Sequence, residues 1–418
     1  MKKHAVVDIF GRQLGNLSTR KFAYNFSASE DLVMRLERAR TLEKHSGSVN
    51  TVSFNADGDI LVSGSDDREI IFWDWETGSV KLSFNSGHRN NVLQAKIMPE
   101  TDDRSIVTCG ADGQVRHATI LECGKVETKP LAIHKGRAHK IANVPESPHI
   151  FYSCGDDGLV LHFDLRTRKT TKLFTCRSSY ACSCCQQCLT KLSTGQFAYF
   201  SFPQVVNLNA IAIDPCNPNL FVVGGSDMLT RLYDIRKYTY IASDHSGEPA
   251  DHFCPKHLLF SGSVRITGLA YSDQSELLVS YSTESMYRFS KEMGWGSNIR
   301  QIRDNFRLAL DSEVEMVTES KQAPLIFKGH KNNATEKGVG FFGPKCEYVV
   351  SGSDCGRMFI WRNKDAKLLR VIEADNLVVK CFEAHPRIPI LASSGIDRDI
   401  KIWTPTALER ATPYTIIE

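Results

Sequence analysis

One short pattern recurs along this chain, and it limits the possible folds more than any other feature. Its clearest copy is LVSGSDDREIIFWD at residues 61–74, with His45 upstream of it. Residues 61–65 and 69–74 are rich in β-branched and aromatic side chains, and the residues between them have turn chemistry. The pattern therefore predicts two short strands joined by a tight turn.

Four side chains of this copy have the residue types for one chain of hydrogen bonds: His45, Ser63, Asp67 and Trp73. The carboxylate would accept from the imidazole, the imidazole would meet the hydroxyl, and the hydroxyl would face the indole N–H. Ser, His and Asp recur once per copy of the pattern rather than once in the chain. We therefore predict a structural tetrad and not a catalytic triad.

The pattern occurs seven times from residue 45 onward. In four copies a turn acid precedes the closing aromatic residue by six positions: Asp67 and Trp73, Asp157 and Phe163, Asp227 and Tyr233, and Asp397 and Trp403. Three degenerate copies have the turn residues Asp112, Glu284 and Cys355, and a histidine leads four copies, at His45, His88, His139 and His330. The shortest steps between turns are about 40–45 residues, which is the period of a four-stranded propeller blade.

A single four-stranded sheet leaves two apolar faces exposed, whereas a closed ring of such sheets buries them. The seven copies thus predict an all-β fold, a seven-bladed β-propeller over residues 44–418. The longer steps predict insertions at about 177–205, 243–260 and 291–325, the last of them a polar surface loop. Closure needs one more strand, for which residues 40–44 and residues 414–417 are both candidates.

Residues 1–43 lack the pattern and are predicted to form an N-terminal extension. Within it, Leu32, Val33, Leu36 and Ala39 have helical spacing, and Ser29 is a candidate N-cap. These features predict an amphipathic helix over residues 29–40. Such a helix could cap the edge of the domain or dock on a partner.

Composition excludes several classes of protein. The 51 basic and 48 acidic residues give a net charge of +3, which argues against direct nucleic-acid binding. No apolar run approaches the ~20 residues that span a bilayer, so we expect no membrane association. Thirteen cysteines without a secretion signal predict reduced thiols in the nucleus and/or the cytoplasm. No catalytic or cofactor motif occurs, so we expect neither an enzyme nor a cofactor.

Two clusters have metal-ligand residue types. Cys182, Cys184, Cys185 and Cys188 lie in the first insertion, but they lack two separated C-x-x-C pairs. A zinc loop, a surface loop of unusual composition and a segment retained from an unspliced transcript all stay open there. In DHFCPKH, His252, Cys254 and His257 could bind a metal, although an inter-blade loop with hydrogen-bonded histidines is the favoured interpretation.

The phrases EKHSGSV, SGHRNN and KGHKNN, the Ser/Gly-rich strand ends, the turn acids and the closing Trp-Asp together resemble the WD-repeat family. The resemblance covers about residues 45–405. It implies a propeller, and seven blades is a common number in this family.

An arginine follows the closing aromatic by three positions in two neighbouring copies, FDLR at 163–166 and YDIR at 233–236. Other copies have Glu76, Lys364 or Thr406 at this position. We expect Arg166 and Arg236 to emerge on the same rim, one blade apart. Arginine is a favoured interface anchor, and the plainer alternative is two ordinary surface turns.

These two turns resemble the W-D-x-R box of WD-repeat substrate receptors for cullin-4 RING ubiquitin ligases. The segments EKHSGSVNTVSFN, SGSDCGRMFIW and VRITGLAYSDQSELLVSY are similar to subfamily eight of the cullin-associated factors, in its plant-like branch. Residues 177–205 depart from that subfamily. The resemblance implies docking on the damaged-DNA-binding adaptor through the box residues Phe163, Asp164, Arg166, Tyr233, Asp234 and Arg236.

The function implied is that of a non-catalytic substrate-recognition subunit of a cullin-4 ligase, with a protein substrate that the sequence does not name. In such receptors an N-terminal helical segment also contacts the adaptor, which would give the helix predicted over residues 29–40 a role. The alternative is a WD-repeat scaffold or histone-peptide reader outside any ligase, which predicts an acidic or aromatic pocket at the channel mouth.

Overall fold

The computed structural model describes residues 9–178, 204–238, 247–261, 263–299, 301, 323–333 and 335–412, with the backbone alone of 189–191 and 197–199. The fold is a seven-bladed β-propeller, as the sequence predicts. Each blade is a four-stranded antiparallel sheet. The chain divides into two compact units, unit 1 (Met1–Asn85 and Ile326–Glu418) and unit 2 (Ser86–Leu325).

Unit 1 contains the first, sixth and seventh blades. The first blade comprises β2 (Val49–Phe54), β3 (Leu61–Ser65), β4 (Glu69–Asp74) and β5 (Ser79–Asn85). The sixth comprises β24 (Val339–Phe342), β25 (Tyr348–Ser351), β26 (Arg357–Arg362) and β27 (Leu368–Glu373). The seventh comprises β28 (Val379–Ala384), β29 (Leu391–Gly395), β30 (Asp399–Thr404) and, from the N-terminal part of the chain, β1 (Glu37–Glu43).

Unit 2 contains the second, third and fourth blades and the first three strands of the fifth, whose fourth strand begins at Leu325, the last residue of this unit. The second comprises β6 (Val92–Ile97), β7 (Ser105–Gly110), β8 (Gln114–Ile120) and β9 (Val126–Ile133), and the third comprises β10 (Ala138–Asn143), β11 (Ile150–Gly155), β12 (Leu159–Asp164) and β13 (Lys169–Thr175). The fourth comprises β16 (Leu208–Ile213), β17 (Leu220–Gly225), β18 (Thr230–Asp234) and β19 (Asp251–Phe253), and the fifth comprises β20 (Ile266–Tyr271), β21 (Leu277–Tyr281), β22 (Met286–Phe289) and β23 (Leu325–Phe327). A separate hairpin has β14 (Leu189–Lys191) and β15 (Phe197–Tyr199).

The N-terminal segment differs from the prediction of one helix over residues 29–40. The structure has α1 (Thr19–Ser27) and a short α2 (Glu30–Met34) capped by Ser29, and the chain is extended again from Glu37. Strand β1 pairs antiparallel with β30, so residues assigned to the extension supply the fourth strand of the seventh blade. Main-chain bonding to β30 outweighs the helical spacing of Leu36 and Ala39. The other closure candidate, residues 414–417, lies outside the described residues.

The short helix α2 packs on the sixth and seventh blades within unit 1. Val33 and Met34 are buried in one core cluster with Phe342, Tyr348 and Trp403. The guanidinium of Arg370 donates to the Val33 carbonyl at 2.9 Å, and Arg362 forms an ion pair with Glu30 at 2.6 Å. The segment is therefore an integral part of the unit 1 core.

Two predicted insertions also contribute to the fold of unit 2. Strand β19 lies inside residues 243–260 and forms the fourth strand of the fourth blade. In the third insertion, Trp295 donates to the Cys254 carbonyl at 2.7 Å, and Ile299 is buried in a core cluster. The prediction of a surface loop from residue 291 is therefore wrong for its first residues, because their apolar side chains pack. Residues 302–322 lie outside the described residues.

Candidate functional site

The predicted tetrad residues of the first blade lie in one hydrogen-bonded chain. His45 Nδ1 lies 2.8 Å from Asp67 Oδ2, and His45 Nε2 lies 2.8 Å from Ser63 Oγ. The Trp73 indole donates to the same hydroxyl at 2.8 Å. Asp67 also accepts the backbone N–H of Ser46 at 2.9 Å. The four side chains tie the loop before β2 to the turn between β3 and β4.

The second and third blades repeat this geometry. His88 bonds Asp112 and Thr108, each at 2.9 Å. In the third blade the histidine is His134, which bonds Asp157 at 2.9 Å and Ser153 at 2.8 Å. The prediction that His139 leads this blade is wrong, since His139 bonds Asp156 instead. The signal that was missed is the IHKG phrase, because His134 precedes Asp157 by 23 residues, between the 22 of His45 to Asp67 and the 24 of His88 to Asp112.

The electrostatics of the tetrad suit a scaffold. Burial lowers the pKa of His45 and outweighs the opposing bond to Asp67. Burial raises the pKa of Asp67, but hydrogen bonds from the Glu69 backbone and from His45 outweigh it, so that the pKa lies below its ordinary value. The imidazole is 1% exposed. A neutral, enclosed histidine of this kind holds two loops together and offers no group to a ligand.

Arg166 lies in the turn after β12 and is held by its own blade. Asp164 Oδ1 accepts from the Arg166 backbone N–H and from Nε, both at 3.0 Å, and Oδ2 accepts from Nη2 at 2.9 Å. The arginine side chain is 59% exposed and the Asp164 side chain 16%. Hydrogen bonds from Arg166 hold the pKa of Asp164 below its usual range. The guanidinium is thus oriented by a fork-to-fork contact while it faces solvent.

Arg236 repeats this arrangement after β18. Asp234 accepts from the Arg236 backbone N–H at 3.0 Å, from Nε at 2.9 Å and from Nη2 at 2.6 Å. The arginine side chain is 65% exposed. Each turn also has an equivalent backbone hydrogen bond. The Leu165 N–H donates to the His149 carbonyl, and the Ile235 N–H donates to the Asn219 carbonyl. Arg166 and Arg236 therefore occupy equivalent positions in the third and fourth blades.

The third and fourth blades are neighbours in unit 2, and their first strands, β10 and β16, lie side by side. Equivalent turns of neighbouring blades lie on the same rim. We call the surface formed by Asp164, Arg166, Asp234 and Arg236 the arginine rim. At the equivalent position, Glu76, Lys364 and Thr406 are exposed in the blades of unit 1.

The two aromatic residues of the predicted box are buried. Phe163 is 2% exposed and stacks on Phe151 at 4.4 Å, and Tyr233 is 1% exposed and stacks on Phe174 at 4.1 Å. The box aromatics therefore anchor the strands that carry the arginines and offer no surface to a partner. Of the six predicted box residues, only the two arginines and part of the Asp164 and Asp234 carboxylates are exposed to solvent.

Of the two candidate metal clusters, the one formed by His252, Cys254 and His257 lies within the described residues. His252 Nδ1 bonds the Gly296 carbonyl at 2.9 Å, Cys254 Sγ contacts the Pro255 carbonyl at 3.4 Å, and His257 Nε2 lies 3.3 Å from the Tyr287 hydroxyl. No group of three or more metal-ligating side chains occurs in the part of the chain that the structure describes. The four cysteines of the first insertion lie outside that part. No helix in the described ranges is long and apolar enough to cross a membrane.

Comparison with known proteins agrees with the repeat geometry. The profile of the "WD domain, G-beta repeat" family (WD40) matches residues 36–74. WD and tetratricopeptide repeats protein 1 of Homo sapiens is 30% identical, with 95% of this chain and 89% of that protein covered. The chain belongs to the WD-repeat family.

Other relatives of this WD-repeat protein carry more specific names. DDB1- and CUL4-associated factor 6 of Homo sapiens is 30% identical over 293 residues, which is 68% of this chain and 32% of that protein. Protein ALTERED SEED GERMINATION 2 of Arabidopsis thaliana is 32% identical over 280 residues, 63% of this chain and 36% of that protein. The chain spans about a third of the length of these two relatives. It is a WD-repeat protein related to the DDB1- and CUL4-associated factors, and its placement in subfamily eight stays a prediction because this factor carries the number 6.

Proposed function

We propose that this WD-repeat protein is a substrate receptor of a cullin-4 RING ubiquitin ligase and docks on the damaged-DNA-binding adaptor through Arg166 and Arg236. It performs no chemistry itself. It holds a protein substrate close to the ubiquitin carrier of the ligase and so raises the effective concentration of the target lysines. The relative named DDB1- and CUL4-associated factor 6 supports this assignment.

The observation that carries the proposal is the arginine rim. Two neighbouring blades present the same exposed arginine, held by the same aspartate in the same geometry. An exposed ion pair within one turn contributes little to stability, so stability does not explain why the arrangement occurs twice. The contact with the aspartate does fix the direction of each guanidinium before binding, and this lowers the entropy cost of ordering the arginines in an interface.

Because each arginine is already paired with an aspartate, the rim offers directed N–H donors and a planar face more than it offers net charge. Lysine has the same charge but no fork. The substitution of lysine for both arginines should therefore weaken docking nearly as much as alanine does.

The N-terminal segment in unit 1 supplies a second possible adaptor contact. Phe10 is 58% exposed, Leu14 is 71% exposed and Phe26 in α1 is 50% exposed. Phe26 stacks against Phe22 at 6.1 Å, and the Arg12 guanidinium lies 4.9 Å from the Phe22 ring. Exposed apolar side chains of this number on one short segment are typical of a surface that a partner covers. We propose this face of unit 1 as a separate adaptor contact.

Affinity purification with mass spectrometry tests the proposal. The full chain should recover the adaptor and cullin-4, whereas Arg166→Ala with Arg236→Ala should lose both and keep a folded spectrum by circular dichroism. The matched control is Arg168→Ala with Lys237→Ala, which removes the same charge from exposed residues of the same two turns. Recovery of the adaptor by the folded Arg166/Arg236 variant would overturn the proposal.

A further inference from the structure

The first strands of the four blades in unit 2 carry charge of one sign only. Strands β6, β10, β16 and β20 lie side by side in that order and form what we call the inner edge of unit 2. Their sequences are VLQAKI, AHKIAN, LNAIAI and ITGLAY. Lys96 and Lys140 are the charged residues in these strands, on two neighbouring blades, and no carboxylate accompanies them.

Both lysines are half-buried, and neither ammonium has a hydrogen-bond or ion-pair partner among the described residues. The strands that carry the two lysines are in direct contact, since the Asn143 side chain of β10 donates to the Ile97 carbonyl of β6 at 2.9 Å. Two like charges that are partly desolvated and close together raise the free energy of the folded state. The first strand of the seventh blade, in unit 1, also carries a lysine. This residue, Lys380, has a hydrogen-bond acceptor, because its ammonium donates to the Asn50 side chain at 2.8 Å.

The rim of the same two blades extends this positive surface. Arg89, Lys135 and Arg137 are exposed, and a carboxylate fixes the backbone of each one. Asp112 accepts from the Arg89 N–H at 2.8 Å, Asp157 from that of Lys135 at 2.9 Å and Asp156 from that of Arg137 at 3.1 Å. The loops that present these cations are therefore rigid.

The carboxylates on this rim are already engaged. Asp112 and Asp157 also bond the tetrad histidines, and Asp156 bonds His139 at 2.8 Å. Within the described ranges, the side chains of Arg89, Lys135 and Arg137 form no ion pair. Five cations against three engaged carboxylates leave a positive surface that runs from the rim to the inner edge. Lys140 is the third residue of β10, after the rim loop, and Lys96 lies two residues deeper along the neighbouring strand, about 7 Å by strand geometry.

We propose that this surface, formed by Arg89, Lys96, Lys135, Arg137 and Lys140, binds an anionic segment of a protein partner. The segment would be rich in aspartate and glutamate. It would lie along the rim and extend an acidic side chain toward the two lysines of the inner edge. The rim lies at the opposite end of the third blade from Asp164 and Arg166, because β12 runs from the turn at Asp157 to the turn at Asp164.

The chemistry favours a peptide over nucleic acid and over a histone tail. A duplex presents its phosphates over a broad surface, whereas Lys96 and Lys140 are recessed in the first strands, where an extended side chain can reach them. The five residues include no aromatic side chain on which a base could stack. A histone tail is basic and would be repelled here. The binding itself does not depend on the proposed function, whereas the assignment of the bound segment as a ligase substrate rests on it.

Fluorescence anisotropy with labelled synthetic peptides tests the inference on the full chain. The probes are an Asp/Glu-rich peptide, the same peptide with Asn and Gln in place of the acids, a phosphoserine version of the neutral peptide, and a single-stranded oligonucleotide. We expect the acidic peptide to bind, with affinity that falls as salt rises, and its neutral counterpart not to bind. Binding of the phosphopeptide alone would overturn the assignment to an Asp/Glu-rich segment.

In the variant Lys96→Met with Lys140→Met, affinity for the anionic peptide should fall at least about tenfold. The matched control is Lys125→Met with Lys172→Met, which removes two exposed lysines from the fourth strands or their approaches in the same blades. Equal affinity of the two variants, no binding of either anionic peptide by the wild type, or tighter binding of the oligonucleotide would each overturn the inference. The Arg166→Ala/Arg236→Ala variant should keep full peptide affinity, so that a failure of adaptor docking remains a separate result.

Discussion

His45 Nδ1 lies 2.8 Å from the Asp67 carboxylate, and the same pairing of a loop histidine with the turn acid recurs in the second and third blades. Among the residues that the structure describes, no histidine bonds the turn acid of the fourth or the seventh blade. There, Asp227 pairs with Arg231 and Asp397 with Lys401, in both cases four residues further along the chain on the third strand. Cations on β18 and β30 thus replace the loop histidine where it is missing.

The first prediction concerns Asp67. Its replacement by alanine leaves the His45 imidazole and the Ser46 and Glu69 N–H groups without their acceptor. Because the carboxylate is 9% exposed, water replaces it poorly, and the free energy of unfolding should fall by about 3 kcal/mol. Urea unfolding measures this. Asp57→Ala is the control, since the Asp57 side chain is 71% exposed and the midpoint should hardly move.

The second prediction concerns the sixth blade, where Cys355 stands in the position of the turn acid. Both ring nitrogens of His330 are buried without a hydrogen-bond partner among the described residues. An aspartate at this position would supply the missing acceptor, so Cys355→Asp should stabilise the protein by about 1–2 kcal/mol. The gain should vanish when His330→Phe is present. A gain of the same size in both backgrounds would contradict the assignment.

The third prediction concerns pH. Burial lowers the pKa of His252 to about 4 and that of His330 to about 4. The unfolded chain binds these protons near pH ~6.5, so the free energy of unfolding should be highest above that pH and should fall as the pH drops toward 4. Urea unfolding across this window should show a shallower slope for His252→Gln than for the wild type. Parallel pH profiles would show that His252 does not contribute.

The fourth prediction separates the two roles of the N-terminal segment. Met34 is 2% exposed and packs in the unit 1 core, so Met34→Ala should cost about 2–5 kcal/mol of unfolding free energy. Phe26 is 50% exposed, so Phe26→Ala should leave stability nearly unchanged while it weakens adaptor recovery. Equal adaptor recovery by Phe26→Ala and the wild type would show that this face does not contact the adaptor.

Repetition made the fold predictable. Seven copies of one pattern specify seven sheets, because each copy has the same strand and turn residues. Contacts that do not recur with the repeat were harder to predict. The helical spacing of Leu36 and Ala39 competes with main-chain pairing to β30, and a single sequence carries no signal for a partner strand so distant.

The residue types of the candidate docking site could be predicted from the sequence, but the role of each residue was harder to predict. The Asp-x-Arg turns are visible as FDLR and YDIR, but the burial of Phe163 and Tyr233 depends on their stacking partners Phe151 and Phe174. The ion pairs of Asp227 with Arg231 and of Asp397 with Lys401 were not predicted, although both pairs have i,i+4 spacing in the sequence. The cationic inner edge emerged only when the structure placed β6 beside β10.

The central claim is that Arg166 and Arg236 bind the adaptor, and a titration of the purified adaptor onto the immobilised 418-residue chain tests it most directly. We predict that Arg166→Ala with Arg236→Ala weakens the affinity at least about tenfold, that Arg166→Lys with Arg236→Lys weakens it nearly as much, and that Arg168→Ala with Lys237→Ala leaves it unchanged. Equal affinity of the Arg166/Arg236 alanine variant and the wild type would contradict the account.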